Sequence, residues 1–226
     1  MASEVIAFVP VKPLVAAKSR LAPVLRLPER QALVLLCLHR VLQALQGTSR
    51  VSQVLVIGTD ASVQQVAREA GAHWLADPGW DLNEALRQGF AHAFARGAQA
   101  SLFLPADLPL LQALEIEGLL DASHGLSRLV LASAHDGGTN AILLPRGVPF
   151  TPRMGPGSFA SHQVQAERAG LPVVVYHSPG LTFDVDTPED LRQFQERLPG
   201  WEAEMQKWHG LLDVGARHAS PLRPSP

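Results

Sequence analysis

Two glycine-bearing turns, each carrying a hydroxyl residue, are the most informative chemical feature of this sequence. One reads Asp136-Gly137-Gly138-Thr139-Asn140 and the other reads Gly155-Pro156-Gly157-Ser158-Phe159. Glycine lets backbone N–H groups approach a ligand because no Cβ stands in the way. Ser158 also begins an amphipathic run, and the unpaired N–H groups at a helix N-terminus suit a phosphate. Each turn alone is ordinary, but together they predict a site for a small phosphorylated molecule.

A basic loop follows the first predicted strand. It reads Pro10-Val11-Lys12-Pro13 and continues to Lys18-Ser19-Arg20, so three cations lie close together in sequence. The loop lacks the glycines and the Gly-Lys-Ser/Thr ending of a Walker A loop. Its composition fits either a polyphosphate-binding loop or a solvated basic loop, and the pattern alone leaves both open.

Acidic residues follow two later strands. Asp107 stands between Pro105 and Pro109 directly after an apolar strand, and Asp184 and Asp186 alternate in the segment before Pro188. Alternating residues of an extended segment point to the same side. Mg²⁺ prefers a few carboxylates together with phosphate oxygens, so these acids predict a magnesium site. The alternative is that they cap the helices that follow, and the choice between Asp184 and Asp186 as metal ligand stays open.

Other residue types exclude several functions. The single cysteine, Cys37, lies in an apolar helical run and is expected to be a buried thiol. His135 and His162 lie near the glycine turns, where a ligand contact is one alternative and a surface position is the expected interpretation. The net charge of -2, without a basic stripe, argues against nucleic-acid binding. No apolar run is long enough for a membrane span, so we expect a cytoplasmic protein.

Strands and helices alternate along most of the chain, which predicts a three-layer α/β/α, Rossmann-like fold with a mostly parallel sheet. Strands are predicted at Val5–Val9, Gln53–Ile57, Ala72–Ala76, Ala100–Leu104, Leu129–Ser133, Ala141–Leu144 and Val173–Tyr176. Helices are predicted at Pro28–Gln46, Ala61–Ala70, Leu82–Arg96, Leu111–Leu120, Ser158–Ala169, Pro188–Leu198 and Trp201–Leu212.

Several local signals refine this pattern. Asp60 and Asp81 are expected to cap the helices that follow them, and the strands on either side of the Gly137 turn suggest a hairpin. Residues 1–212 are expected to form one domain, and 213–226, rich in Pro and Ser near its end, a disordered tail.

The loops of this chain, in this order, resemble the phosphoenolpyruvate / 2-phospho-L-lactate guanylyltransferases of coenzyme F-420 biosynthesis. The resemblance covers residues 5 to about 195 and rests on Val9-Pro10-Val11-Lys12, Lys18-Ser19-Arg20-Leu21, Asp107-Leu108-Pro109, Gly138-Thr139-Asn140-Ala141, Gly155-Pro156-Gly157-Ser158-Phe159 and Asp184-Val185-Asp186-Thr187-Pro188-Glu189-Asp190. It implies the nucleotide-diphospho-sugar transferase (GT-A-like) fold. Relatives with that fold usually carry a glycine-rich loop after the first strand, which is replaced here.

The resemblance also implies a reaction and a set of residue roles. GTP and a small phosphorylated C3 acid would give a guanosine-diphospho-linked acid and pyrophosphate, with Mg²⁺ as cofactor. The implied roles are nucleotide binding for Pro10, Lys12, Lys18, Arg20 and Asn83, catalysis for Lys12, Lys18 and Asp107, metal binding for Asp107, Asp184 and Asp186, and acceptor binding for Thr139, Gly155 and Ser158.

Several alternatives stay open at this point. The acceptor could be phosphoenolpyruvate, 2-phospho-L-lactate or 3-phospho-D-glycerate, because these acids differ by one unsaturation or one hydroxyl. The chain could instead use CTP or a sugar phosphate, or serve as a catalytically silent binding subunit. A homodimer is one of the assemblies that the sequence leaves open.

Overall fold

The computed structural model describes residues 5–77 and 81–218, with side chains through Leu212. Its strands are β1 (Val5–Pro10), β2 (Val51–Gly58), β3 (His73–Ala76), β4 (Ala100–Phe103), β5 (Leu129–Ser133), β6 (Thr139–Pro145) and β7 (Val173–Val175). Its helices are α1 (Leu27–Gln46), α2 (Ala61–Glu69), α3 (Leu82–Ala95), α4 (Ala113–Ala122), α5 (Ser158–Arg168), α6 (Pro179–Thr182), α7 (Pro188–Arg197) and α8 (Trp201–His218).

The strands form one mixed sheet in the order β3-β2-β1-β4-β6-β5-β7. Among the described strands, β6 runs antiparallel to both of its neighbours and the other pairings are parallel. The hairpin predicted around the Gly137 turn is therefore confirmed, as β5 and β6. Because β6 is reversed, its first residue, Thr139, lies at the sheet edge where β1, β4 and β5 end. This reversal brings the glycine turn to the edge at which an open α/β sheet binds ligands.

Alternation along β1 shows why helices cover both faces of the sheet. Val5, Ala7 and Val9 pack in a core cluster with α1, whereas Phe8 packs in a second cluster with residues of α3 and α5. Gly89 of α3 permits close contact on that second face, because a Cβ there would lie 2.4 Å from the Phe8 ring. The predicted three-layer α/β/α arrangement is confirmed.

Short structures occupy the loop after β1. One 3₁₀ turn spans Leu14–Ala16 and another spans Ser19–Leu21. Asp60 was expected to cap α2, but its side chain makes no capping bond and instead accepts the backbone N–H of Leu14 at 3.1 Å. Asp60 therefore occupies the N-cap position, as predicted, but its carboxylate bonds the loop after β1 instead of the helix N-terminus. The carboxylate ties the basic loop to the end of β2.

Element boundaries differ from the predictions mainly near helix ends. Helix α4 begins after Gln112, whose capping box with Glu115 places it two residues later than predicted. Helix α8 continues to His218, beyond the predicted end at Leu212. Residues 219–226 lie outside the described residues, so the tail and the domain boundary at 212 stay predictions. Within the described part of the chain, every helix is too short or too polar to cross a bilayer.

Candidate active site

A cavity of about 570 Å³ lies at the edge where β1, β4 and β5 end and β6 begins. Every residue that the sequence proposed for the site, apart from Asn83, lines this cavity. The predicted residues on its wall are Pro10, Lys12, Lys18, Arg20, Asp107, Thr139, Gly155, Ser158, Asp184 and Asp186. The fold therefore gathers five separate segments of the chain around one space.

Three carboxylates converge on one side of the cavity. Asp107, Asp184 and Asp186 each present an oxygen, and these oxygens lie within 4.8 Å of one another. The backbone N–H of Val185 donates to the carbonyl of Asp107 at 3.3 Å, which fixes the two acidic loops to each other. We call Asp107, Asp184 and Asp186 the acidic centre.

The capping alternative for these acids is excluded by the caps that the structure shows. Helix α4 is capped by Gln112, and helix α7 by Thr187 together with Asp190. Asp184 and Asp186 point into the site from either side of Val185, which is fully buried. The extended backbone thus puts both carboxylates on one side, as their alternation predicted.

Lys18 reaches into the acidic centre. Its Nζ lies 2.7 Å from Asp107 Oδ2 and 2.7 Å from Asp186 Oδ1, and its side chain is only 7% exposed. The backbone of Lys18 is left-handed, with φ 42° and ψ 50°. Non-glycine residues adopt this region rarely, so the contacts of the side chain must offset a local strain.

The charges of the acidic centre are unevenly compensated. Burial alone would raise the pKa of Asp186, but the Lys18 ammonium overcomes it and lowers that pKa. Burial lowers the pKa of Lys18, yet Asp107 and Asp186 outweigh it and raise the value. Among the described side chains, none places an ammonium against Asp184, and burial together with the Asp107 charge raises its pKa to about 6.

This imbalance fits a divalent cation. The donor set consists of carboxylate oxygens, which Mg²⁺ prefers, and Asp184 holds a charge that lacks full compensation. A bound Mg²⁺ would favour the ionised form of Asp184. The residues present therefore suit the predicted cofactor, although the role of each acid stays a prediction.

The two other basic residues of this loop, Lys12 and Arg20, lie on the solvent-exposed part of the cavity. Lys12 is exposed, and the Arg20 side chain is 67% exposed with its Nη1 3.9 Å from Asp186 Oδ2. Both line the cavity and could meet a polyphosphate that enters from solvent. Among the basic residues of this loop, Lys18 alone has its ammonium buried against the carboxylates of the acidic centre.

The opposite wall carries a neutral pair of hydroxyls. Thr139 Oγ1 and Ser158 Oγ lie 3.0 Å apart, and both residues are buried yet line the cavity. We call Thr139 and Ser158 the hydroxyl pair. The α5 N-terminus is less available than the sequence suggested, because the N–H groups of Ser158 and Phe159 already donate to the carbonyls of Gly155 and Gly137.

Comparison with known proteins identifies the family. A family model described as "Guanylyl transferase CofC like" matches residues 5–198 of this chain. The chain belongs to the CofC-like guanylyltransferase family. A phosphoenolpyruvate guanylyltransferase from Sphaerobacter thermophilus is 43% identical over 194 residues, which cover 86% of this chain and 94% of that protein.

Two further comparisons extend this result. A 3-phospho-D-glycerate guanylyltransferase from Phenylobacterium zucineum is 40% identical over 180 residues, covering 77% of this chain and 82% of that protein. A crystal structure from Desulfovibrio desulfuricans G20, provisionally assigned as a nucleotide-diphospho-sugar transferase, aligns with a TM-score of 0.70 and 19% identity over 96% of both chains. The CofC-like chain therefore has the fold that its motifs implied.

Asn83 holds the loop that precedes Gly155. Its Oδ1 accepts the Met154 N–H at 2.6 Å, and its Nδ2 donates to the Met154 carbonyl at 3.4 Å. The amide thus clamps the backbone just before Gly155, outside the cavity lining. A nucleotide contact for Asn83 stays a prediction, and the clamp gives a sufficient reason for an amide at this position.

Sequence reasoning missed the histidines of this CofC-like site. His135 lies between Asp184 and Asp190, with its ring nitrogens 3.3 Å and 3.4 Å from their carboxylates. His162 was expected at the surface, which is wrong: it is 1% exposed and bonded to Thr139 Oγ1 at 3.0 Å. Its place four residues after Ser158, on the same side of α5, was the available signal.

Asn140 joins two segments of the site. Its Nδ2 donates to the Leu181 carbonyl at 2.9 Å and to Asp184 Oδ1 at 3.2 Å. The amide therefore holds the Asp184 loop against the start of β6. It links the acidic centre to the strand that carries Thr139.

Proposed function

We propose that this chain transfers GMP from GTP to a small phosphorylated C3 acid, with phosphoenolpyruvate as the first candidate, and releases pyrophosphate. The guanylyltransferase family and its relatives named for phosphoenolpyruvate support this reaction. We further propose that it occurs in the cytoplasm, within the biosynthesis of coenzyme F-420. The observation that carries the proposal is one cavity with a cation-bridged acidic centre on one wall and a hydroxyl pair on the other.

The proposed chemistry is an in-line displacement at phosphorus. An oxygen of the acceptor phosphate forms a bond to the α-phosphorus of GTP, and the bond from that phosphorus to the oxygen bridging the β-phosphate breaks. Pyrophosphate leaves with the electron pair. The attacking oxygen is already ionised near pH 7, so no general base is required, and rate depends on positioning and charge neutralisation.

Each wall of the cavity has a task in this reaction. Lys12, Lys18 and Arg20 would hold the triphosphate, and Asp107, Asp184 and Asp186 would hold Mg²⁺. When bound, Mg²⁺ would neutralise charge that develops on the phosphate oxygens. Thr139, Gly155 and Ser158 would bind the acceptor through neutral groups.

The present position of Lys18 shapes this proposal. Its ammonium contacts two of the proposed metal ligands, so it shares their negative charge with any cation that binds there. We propose that Lys18 holds Asp107 and Asp186 in place through its two ion pairs, and meets the triphosphate as it enters. Its strained backbone holds the side chain in that direction.

Pyrophosphate release tests the proposed function. GTP, CTP and ATP would each be combined with phosphoenolpyruvate, 2-phospho-L-lactate and 3-phospho-D-glycerate in the presence of Mg²⁺. We expect GTP with phosphoenolpyruvate to give the highest kcat/KM and to lose its rate when EDTA removes the metal. A relative named for 3-phospho-D-glycerate makes that acid the second candidate. Turnover with CTP alone, or with none of the acids, would overturn the assignment.

A further inference from the structure

The buried ring of His162 connects the hydroxyl pair to the loop that precedes Gly155. Its Nδ1 lies 3.0 Å from Thr139 Oγ1, and its Nε2 lies 3.0 Å from the backbone nitrogen of Arg153. The ring packs edge-on against Phe150, with 5.6 Å between centroids. Both ring nitrogens therefore have partners, and the ring is held in one orientation.

The partner of Nε2 fixes the tautomer of His162. A backbone N–H can only donate, so Nε2 must accept from Arg153 and carries no proton. Burial lowers the pKa of this histidine, which favours the neutral ring. The single proton of the neutral ring is then on Nδ1, and Nδ1–H donates to Thr139 Oγ1.

The number of hydroxyl protons in the pair shows the effect of the hydrogen bond that Nδ1–H of His162 donates to Thr139 Oγ1. Thr139 and Ser158 have one hydroxyl proton each, and one of these forms the bond between them. Within the described part of the chain, the hydroxyl pair has no partner beyond each other and His162. Because His162 supplies its own proton, the second hydroxyl proton is left for the cavity. The opposite tautomer would accept that proton and leave only lone pairs facing the cavity.

We propose that His162 is a positioning residue that makes the hydroxyl pair a hydrogen-bond donor to an anionic oxygen of the acceptor acid. The inference rests on the proposed function for the identity of the ligand. A phosphate or carboxylate oxygen accepts hydrogen bonds and is repelled by lone pairs. The direction of the hydrogen bonds among His162, Thr139 and Ser158 therefore decides whether the acid binds. His162 itself does not touch the acid and acts through Thr139.

Two substitutions distinguish the role of Nδ1 in the His162 ring from the role of Nε2. The amide nitrogen of Asn is as many bonds from Cβ as Nδ1, and the amide of Gln is as many bonds away as Nε2. His162→Asn therefore keeps a donor near Thr139 and loses the acceptor for Arg153. His162→Gln keeps the acceptor for Arg153 and loses the donor.

The proposal predicts that the two variants differ. His162→Gln should raise KM for phosphoenolpyruvate by about ten- to a hundredfold, the worth of one charge-assisted hydrogen bond, while KM for GTP stays near the wild-type value. His162→Asn should recover a large part of this loss. Equal losses in both variants, or equal increases in both KM values, would overturn the proposal.

A double-mutant cycle tests whether His162 acts through the hydroxyl pair. Ser158→Ala removes one member of the pair and should itself raise KM for phosphoenolpyruvate more than KM for GTP. Thr139→Val removes the hydroxyl that His162 contacts, so adding His162→Gln to Thr139→Val should cost far less than His162→Gln alone. Fully additive losses would show that His162 affects binding by another route.

The wild-type protein provides a test that requires no folded variant and no turnover. The imidazole nitrogen NMR spectrum distinguishes a ring protonated on Nδ1 from one protonated on Nε2. We expect His162 to carry its proton on Nδ1, and a proton on Nε2 would overturn the inference even if the enzyme uses phosphoenolpyruvate. Conversely, a wild-type enzyme that turns over none of the three acids would refute the proposed function, while the spectrum still decides the tautomer.

Discussion

The two walls of the cavity are built on different physical principles. The acidic centre contains three carboxylates and one ammonium, and its geometry depends on charge compensation. The hydroxyl pair is neutral and buried, and its function depends on the direction of two hydrogen bonds. The first wall comes from the loops after β1 and β4 and from the segment between α6 and α7, whereas the second combines the start of a reversed strand with the first turn of a helix.

This difference indicates how each wall should respond to change. A missing charge in the acidic centre alters every other charge there, because the carboxylate oxygens lie within 4.8 Å of one another. A missing proton in the hydroxyl pair alters one hydrogen bond to one ligand. Substitutions at the acidic centre should therefore affect catalysis and stability together, while those at the hydroxyl pair should affect acceptor binding alone.

Asp107→Asn is the most severe test of the acidic centre. It keeps the size of the side chain and removes a charge, so we expect kcat/KM to fall by about a thousandfold, since metal-assisted charge stabilisation contributes several kcal/mol. The fold should survive because Asp107 is not a helix cap. Steady-state pyrophosphate release would measure kcat/KM, and circular dichroism would show whether the fold survives. Near-normal turnover at saturating Mg²⁺ would remove Asp107 from the metal site.

Lys18→Met should affect activity and stability together. Methionine retains the apolar stem but leaves Asp107 and Asp186 without their shared ammonium. We expect about a hundredfold loss of activity and, in metal-free protein, a loss of about 1–3 kcal/mol in unfolding free energy, reduced from the buried-pair value because the acids are partly exposed. Urea unfolding with and without Mg²⁺ would show whether the metal restores stability.

Lys12→Met is the matched control for that experiment. Lys12 lies in the same loop and lines the same cavity, but its side chain is exposed. The substitution Lys12→Met should weaken GTP binding with little change in unfolding free energy. Equal destabilisation by the two variants would mean that Lys18 does not hold the acidic centre together.

Asp184 makes the stability of the metal-free protein depend on pH. Folding raises the pKa of its carboxyl to about 6, so the folded state binds this proton more tightly than the unfolded state. Ionisation therefore costs stability, and the cost develops between about pH 4 and pH 6 and is complete above that range. Asp184→Asn should stabilise the metal-free protein by up to about 2–3 kcal/mol at pH 7.5.

Unfolding at two pH values would check the sign of this effect. With EDTA present, the advantage of Asp184→Asn over the wild type should shrink as the pH is lowered to 4. An advantage that does not change with pH would point to packing instead of charge. The same variant should lose activity, since a proposed metal ligand is gone.

Asn83→Ala should have the smallest effect of these substitutions. It tests the wall of the cavity that carries the hydroxyl pair. It removes a side chain that does not line the cavity itself but holds the backbone of Met154, which does. We expect KM for the acceptor to rise by about five- to tenfold, the worth of one or two neutral hydrogen bonds, with KM for GTP less affected. A larger rise for GTP would restore the nucleotide-binding role that the sequence suggested.

Much of the acidic wall could be predicted because its signals are local. Asp107 follows an apolar strand between prolines, and Asp184 and Asp186 alternate around an apolar residue. Such patterns imply position, because the carboxyl ends of parallel strands share one edge of the sheet. The same reasoning found Thr139, Gly155 and Ser158 through the need for glycine in tight turns.

The remaining contacts depend on residues that are far apart in sequence. Lys18 was assigned to the triphosphate, and its contacts with Asp107 and Asp186 bridge segments that no sequence pattern connects. Asn83 and Met154 meet only because α3 and the loop before α5 pack side by side. His162 reads as a surface residue until α5 turns it toward Thr139 and Phe150.

The sequence by itself determined the layers, the order of most elements and the residue types gathered at one edge, because periodicity and turn chemistry act over a few neighbouring residues. Only the tertiary structure decided how those residues share charge and protons. The antiparallel insertion of β6 brought Thr139 to the edge, the left-handed backbone at Lys18 aimed an ammonium between two acids, and the N–H of Arg153 selected the proton of His162. Such choices depend on distances between distant parts of the chain, which exist only after the sheet and its helices have packed.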